Sequence, residues 1–165
     1  MTDLITIQTI QGEEDRKFLF EQYKVVTESL NKINEIRETA NNFWTGLNGA
    51  LISAVAYVKQ MEDVGENPKQ FFLWTIITVG FCMSMTWLSY LLTIKKSVDI
   101  RNNMLLEFEK YFPAKPFTIA IDKMGRKEGK GSLSFKEMRA PILFIAGYIF
   151  FAFTLLFYPR LLMFN

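Results

Sequence analysis

The chain has no histidine, one cysteine and only five prolines in 165 residues. Without histidine there is no imidazole acid–base chemistry and no His-containing metal site. A lone cysteine, Cys82, excludes any disulfide within the chain. The opening MTDLITIQTIQGEEDR lacks the basic and apolar regions of a signal peptide. An internal helix is therefore expected to direct insertion, and the chain to keep its start. Three long stretches also lack charge altogether, and an intramembrane acid, base or arginine is what ion- and proton-coupled carriers use at depth. That absence argues against a carrier.

The most telling of these stretches is 71–94, FFLWTIITVGFCMSMTWLSYLLTI. As a helix it would be about 36 Å long, enough to cross a hydrocarbon core about 30 Å thick. A second, 140–158 (APILFIAGYIFFAFTLLFY), has Pro141 in its expected first turn and bulky side chains all round. The third, 41–58, is uncharged but carries Thr45, Asn48 and Ser53, with Gly46, Ala50 and Ala54 as a small-residue row suited to close helix approach. Its Asn48 needs either a protein partner or a water-filled cavity.

Charged helices extend two of these spans. Leu19, Tyr23, Val26, Leu30 and Ile33 step by 4, 3, 4 and 3, a heptad seam. The acids Glu13, Glu14 and Asp15 suit the start of that helix. The seam continues without proline into the third stretch, which predicts one helix over 13–59. Ile94, Val98, Arg101, Leu105, Phe108 and Phe112 form a similar seam, ending at Pro113. The expected architecture is mostly α and membrane-integral. An arm (1–12) precedes a cytoplasmic stalk (13–40), a first span (41–58), an external loop (59–70) and a second span (71–94). A second, antiparallel stalk (95–112), a cytoplasmic hairpin or loop (113–139), a third span (140–158) and an external tail (159–165) follow. The hairpin rests on alternation at Phe117, Ile119 and Ile121, and again at Leu133 and Phe135, either side of GRKEGKG.

Orientation follows from basic residues. With three spans, 16 lysines and arginines fall on one side and 3 on the other, and the richer side is cytoplasmic. GRKEGKGS has the wrong glycine spacing for a P-loop and reads as a basic solvated turn, or as a contact for anionic headgroups.

Two groups of side chains stand out. Thr75, Thr78, Cys82, Thr86, Ser89 and Thr93 make a polar or small stripe down one face of the second span. It is either a packing face, with hydroxyls bonding the carbonyl four residues back, or with Asn48 a pore lining. Arg37 and Arg101 each occupy a seam position at the same expected depth. With Glu38 and Asp99 they make a candidate charge-paired layer fixing stalk register; the alternative is that both snorkel to water. Phe18, Phe20, Val25, Ile36, Ile100 and Leu106 lie off the seams, so neighbouring subunits are expected to cover them.

The order of these pieces resembles the RipA-like family of small octameric bacterial inner-membrane proteins. The resemblance is carried by YKVVTESLNKINEIRETANNFW (23–44), LNGALISA (47–54), YFPAKPF (111–117) and EMRAP (137–141). It implies three spans per subunit, a homo-octameric ring and no enzyme activity. No cofactor, metal or nucleic acid is expected. The partners are further copies of the chain, membrane lipids and an unidentified cytoplasmic protein. The function expected is a structural or interaction assembly displaying cytoplasmic stalks; the alternative is a pore-forming or membrane-perturbing ring.

Overall fold

A computed structural model of the chain describes residues 12–61, 65–123 and 135–158. It contains four helices: α1 (Glu13–Gln60), α2 (Glu66–Glu109), α3 (Pro116–Lys123) and α4 (Phe135–Phe157). The arm, the GRKEGKG turn and the tail lie outside the described residues.

Each boundary has a local cause. Gly12 precedes α1, its carbonyl accepting the Arg16 amide at 3.3 Å, and three acids occupy the first turn. Gly65 opens α2 in the same way, accepting from Lys69, and Pro68 sits in the first turn where its missing N–H is not needed. α2 closes through tightened bonds from Lys110, Tyr111 and Phe112 to carbonyls three residues back, and Pro113 follows. The connection expected over 59–70 is shorter than the sequence suggested, because both helices continue into it.

One expectation is corrected. Residues 117–122 are not a β-strand, and no strand occurs among the described residues. Pro116 starts a helix: the Ile119 amide bonds the Lys115 carbonyl at 3.0 Å, with proline at the first helical position. Ile121 is buried and Phe117 half-buried, whereas Ile119 between them is exposed. Spacing by four buries this segment, not spacing by two. The second arm of the hairpin, 132–134, lies outside the described residues, and Phe135 already belongs to α4. Pro141 is accordingly inside α4, fully buried, rather than in its first turn.

The expected spans differ in hydropathy. Two helices are long and apolar enough to cross a membrane, α2 and the Glu137–Phe157 part of α4. Residues 41–58 of α1 fall short by composition, because Asn41, Asn42, Thr45, Asn48 and Ser53 lower their hydropathy.

The chain divides into two compact units, and α1 and α2 pass through both. The first, 1–37 with 93–132, pairs α1 and α2 antiparallel. Leu19, Val26, Leu105 and Phe108 form its core, with Tyr23, Leu30, Met104, Phe112 and Phe117 packed against them. The predicted seam is therefore the buried face. Phe18, Phe20, Val25 and Ile36 are exposed, as expected of off-seam residues, while Ile100 and Leu106 are half-buried. The second unit, 38–92 with 133–165, packs α4 against α1 and α2 around Val58, Leu73, Ile77, Tyr148 and Leu155.

Candidate functional site

In each unit a fully buried polar side chain joins three helices. In the first unit it is Glu109, the last residue of α2 and fully buried. A carboxylate is disfavoured at the negative end of its own helix; this one serves another helix. Its Oε1 accepts from the Phe117 amide at 2.7 Å and from the Tyr23 hydroxyl at 3.0 Å. Its Oε2 accepts from the Thr118 amide and the Thr118 hydroxyl, both at 2.7 Å. Phe117 and Thr118 carry the free N–H groups of the first turn of α3, which no residue within that helix can satisfy. Glu109 thus caps α3 from across a turn and ties it to α1 through Tyr23.

Burial pushes the Glu109 pKa up, but the bonds from Phe117, Thr118 and Tyr23 outweigh it and hold the carboxyl below its usual value. Burial, then the bond to Glu109 and its negative charge, push Tyr23 up to about 12. The pair is a charged acceptor and a neutral donor.

In the second unit the centre is Asn48, also fully buried. Its amide nitrogen donates to the Trp44 carbonyl one turn back at 2.9 Å. Its Oδ1 accepts from Ser84 of α2 and Tyr148 of α4, each at 3.0 Å. Ser84 also approaches the Gly80 carbonyl at 2.8 Å, so its single proton is shared between two acceptors. Gly80 is required here: a Cβ at that position would fall inside the Tyr148 ring. Near one end of the same unit, Trp87 donates to Asn41 Oδ1 at 3.0 Å and stacks at a tilt on Phe144. Asn48 therefore takes protein partners from two other helices and does not face a cavity.

The α2 stripe lies elsewhere. Thr75, Thr78, Cys82, Thr86, Ser89 and Thr93 are all exposed, while Leu73, Ile77, Gly80, Ser84, Trp87 and Leu91 make the buried face of α2. Thr75 and Thr86 bond the carbonyls of Phe71 and Cys82, four residues back. On α1, Gly46 and Ala50 of the small-residue row are likewise exposed, with Ala54 half-buried.

Of the four stalk charges, Arg101 is placed by Ser29 of α1, whose hydroxyl takes its Nε–H at 2.8 Å, and by Ser97. Ser29 lies about 12 Å along α1 from Arg37. Arg37 and Asp99 each have an interaction partner, and Glu38 is exposed.

Glu109 was not legible as a site, because an acid near a helix end is ordinary and its targets lie eight and nine residues on. The signal was available in YFPAKPFT: a proline that can start a helix leaves two bare amides behind it. Among the described residues no three acids or cysteines gather where they could hold a metal ion.

Both hubs lie inside the stretch 20–157, which matches the profile of the octameric membrane protein family (8xMP). The chain belongs to the octameric membrane protein family. It is a membrane protein, in keeping with its two apolar helices. No curated protein and no solved structure matches it. Membership of the octameric membrane protein family points to association of the chain with further copies of itself.

Proposed function

We propose that the chain forms a homo-octameric ring in the bacterial inner membrane with a structural or interaction role rather than an enzymatic one. The carrying observation is the family match over 20–157. Residues 41–58 of α1 act as a third span. They are uncharged between Glu38 and Lys59, and Asn48, the costliest polar side chain among them, is satisfied by Ser84 and Tyr148. The first unit then lies in the cytoplasm, on the side with 16 of the 19 basic residues. There it displays the stalk halves of α1 and α2 to a protein partner or to anionic headgroups. Exposed Phe18 and Phe20 favour burial between subunits.

A second reading is favoured by the exposed Thr/Ser/Cys stripe of α2, which would suit the wall of a conducting ring. Native mass measurement in mild detergent tests the assembly: eight copies are expected, and a chain that stays monomeric in lipid overturns it. Conductance in reconstituted bilayers that disappears when the stripe is filled with leucine would replace the structural reading with the pore.

A further inference from the structure

The second unit exposes three unlike faces. The outer face of α4 is bulky and apolar: Leu143 is 70% exposed and Phe150 67%, with Phe153 and Leu156 beside them. Hydrocarbon suits such a face. α1 exposes Asn42, Gly46, Gly49, Ser53 and Ala56, which step by 4, 3, 4 and 3 along one side of the helix. Side chains added at Gly46 or Gly49 would meet nothing within 4 Å. α2 exposes its own small row, Thr75, Thr78, Cys82, Thr86 and Ser89. Lipid gains little from rows of glycine, serine and threonine, whereas helix backbones approach closely along them.

Three contacts fix the depths of these two rows. Asn41 bonds Trp87, Asn48 bonds Ser84, and Val58 shares a core cluster with Leu73. The α1 row 42–56 therefore spans the same depth as the α2 row 75–89, running the opposite way. A ring whose axis is normal to the membrane carries every residue to its neighbour at unchanged depth. It also needs two different faces on each subunit, because its contacts are head-to-tail.

We propose that the ring closes by packing the α1 small-residue row of one copy, antiparallel, against the α2 Thr/Ser/Cys row of the next, with α4 turned to lipid. This rests on the octameric reading above. It places Gly49 of each subunit beside Cys82 of its neighbour and removes the α2 stripe from any water-filled channel.

Disulfide trapping in native membranes tests it. Gly49→Cys, with Cys82 in place, should give on oxidation a ladder of linked species extending beyond the dimer toward eight. The unaltered protein and Phe150→Cys, at a similar depth on α4, should give none. Should Gly49→Cys disturb assembly, Ala56→Cys with Thr75→Cys in a Cys82→Ser background decides the same question at another depth. Native mass is measured in parallel. Eight copies with no ladder from either variant overturns the docking but keeps the octamer; fewer copies overturns the octamer itself. Dimers formed through Cys82 alone, or a ladder from Phe150→Cys, would show that α2 meets α2 or that α4 makes the contact, and either overturns the proposal.

Discussion

Glu109 and Asn48 solve the same problem in two different ways. Each is a fully buried polar side chain that ties three helices together. Glu109 is an ion, and it gathers four donors, two of them backbone amides at a helix start. Asn48 is neutral, and its partners are hydroxyls and a carbonyl. An ion buried among apolar groups is tolerated only with several well-placed donors. Among the apolar side chains of the second unit an amide supplies direction without a net charge to desolvate. The comparison teaches where each unit is vulnerable: the first through charge, the second through shape.

The largest expected effect is therefore at Glu109. Glu109→Gln turns an NH2 group toward donors and should destabilise the first unit by about 2–3 kcal/mol, read as a lower melting temperature and lost helicity. Acid sharpens the same point. An unfolded carboxyl titrates near ~4.3, and Glu109 in the folded chain titrates lower. Its contribution is complete above that ordinary value and is lost as pH falls through the depressed one. Glu109→Gln should flatten this acid limb of the stability profile. Tyr23 has the opposite sign: its contribution is present below about pH 10, the usual tyrosine value, and is lost as pH rises through about 12.

Shape comes next. Gly80→Ala drives a methyl into the Tyr148 ring and should cost about 1–3 kcal/mol. Tyr148→Leu should recover part of that loss when combined with it, a non-additivity that thermal unfolding of the single and double variants would measure. Asn48→Ala should cost less, on the order of 1 kcal/mol, because hydrogen bonds within membranes are individually modest and Ser84 keeps its bond to Gly80. If Asn48→Ala proved more damaging than Glu109→Gln, the contrast between the two units would fail.

The smallest effect belongs to the stalk arginines. Arg101→Leu removes bonds to Ser29 and Ser97 and should cost about 1 kcal/mol. Since Arg101 bonds Ser29 and Ser97, Arg37→Leu and Arg101→Leu should combine additively. Strong coupling in the double variant would instead support a shared charge layer with Glu38 and Asp99.

The elements that could be read directly were those with long periodicity. The acids at 13–15, the seam from Leu19 to Ile33 and its proline-free continuation through 58 predicted α1 to within a residue at each end. Asn48 was legible as a residue in need of a partner. Its partners were not, because Ser84 and Tyr148 lie 36 and 100 residues away. The short segment after Pro116 misled, because three apolar residues at alternate positions also place two of them four apart. The exposed α2 stripe was recognisable as a stripe, but a pattern on one helix does not say which side its neighbours occupy.

The cap on α3 carries a consequence of another kind. Eight residues make a helix too short to persist alone, and amides in a first turn ordinarily exchange with solvent hydrogen almost freely. Those of Phe117 and Thr118 are instead bonded to a buried carboxylate. Deuterium can replace them only when Glu109 lets go. Their exchange rates are thus a clock on the opening of the first unit, set by two hydrogens that need no substitution to be read.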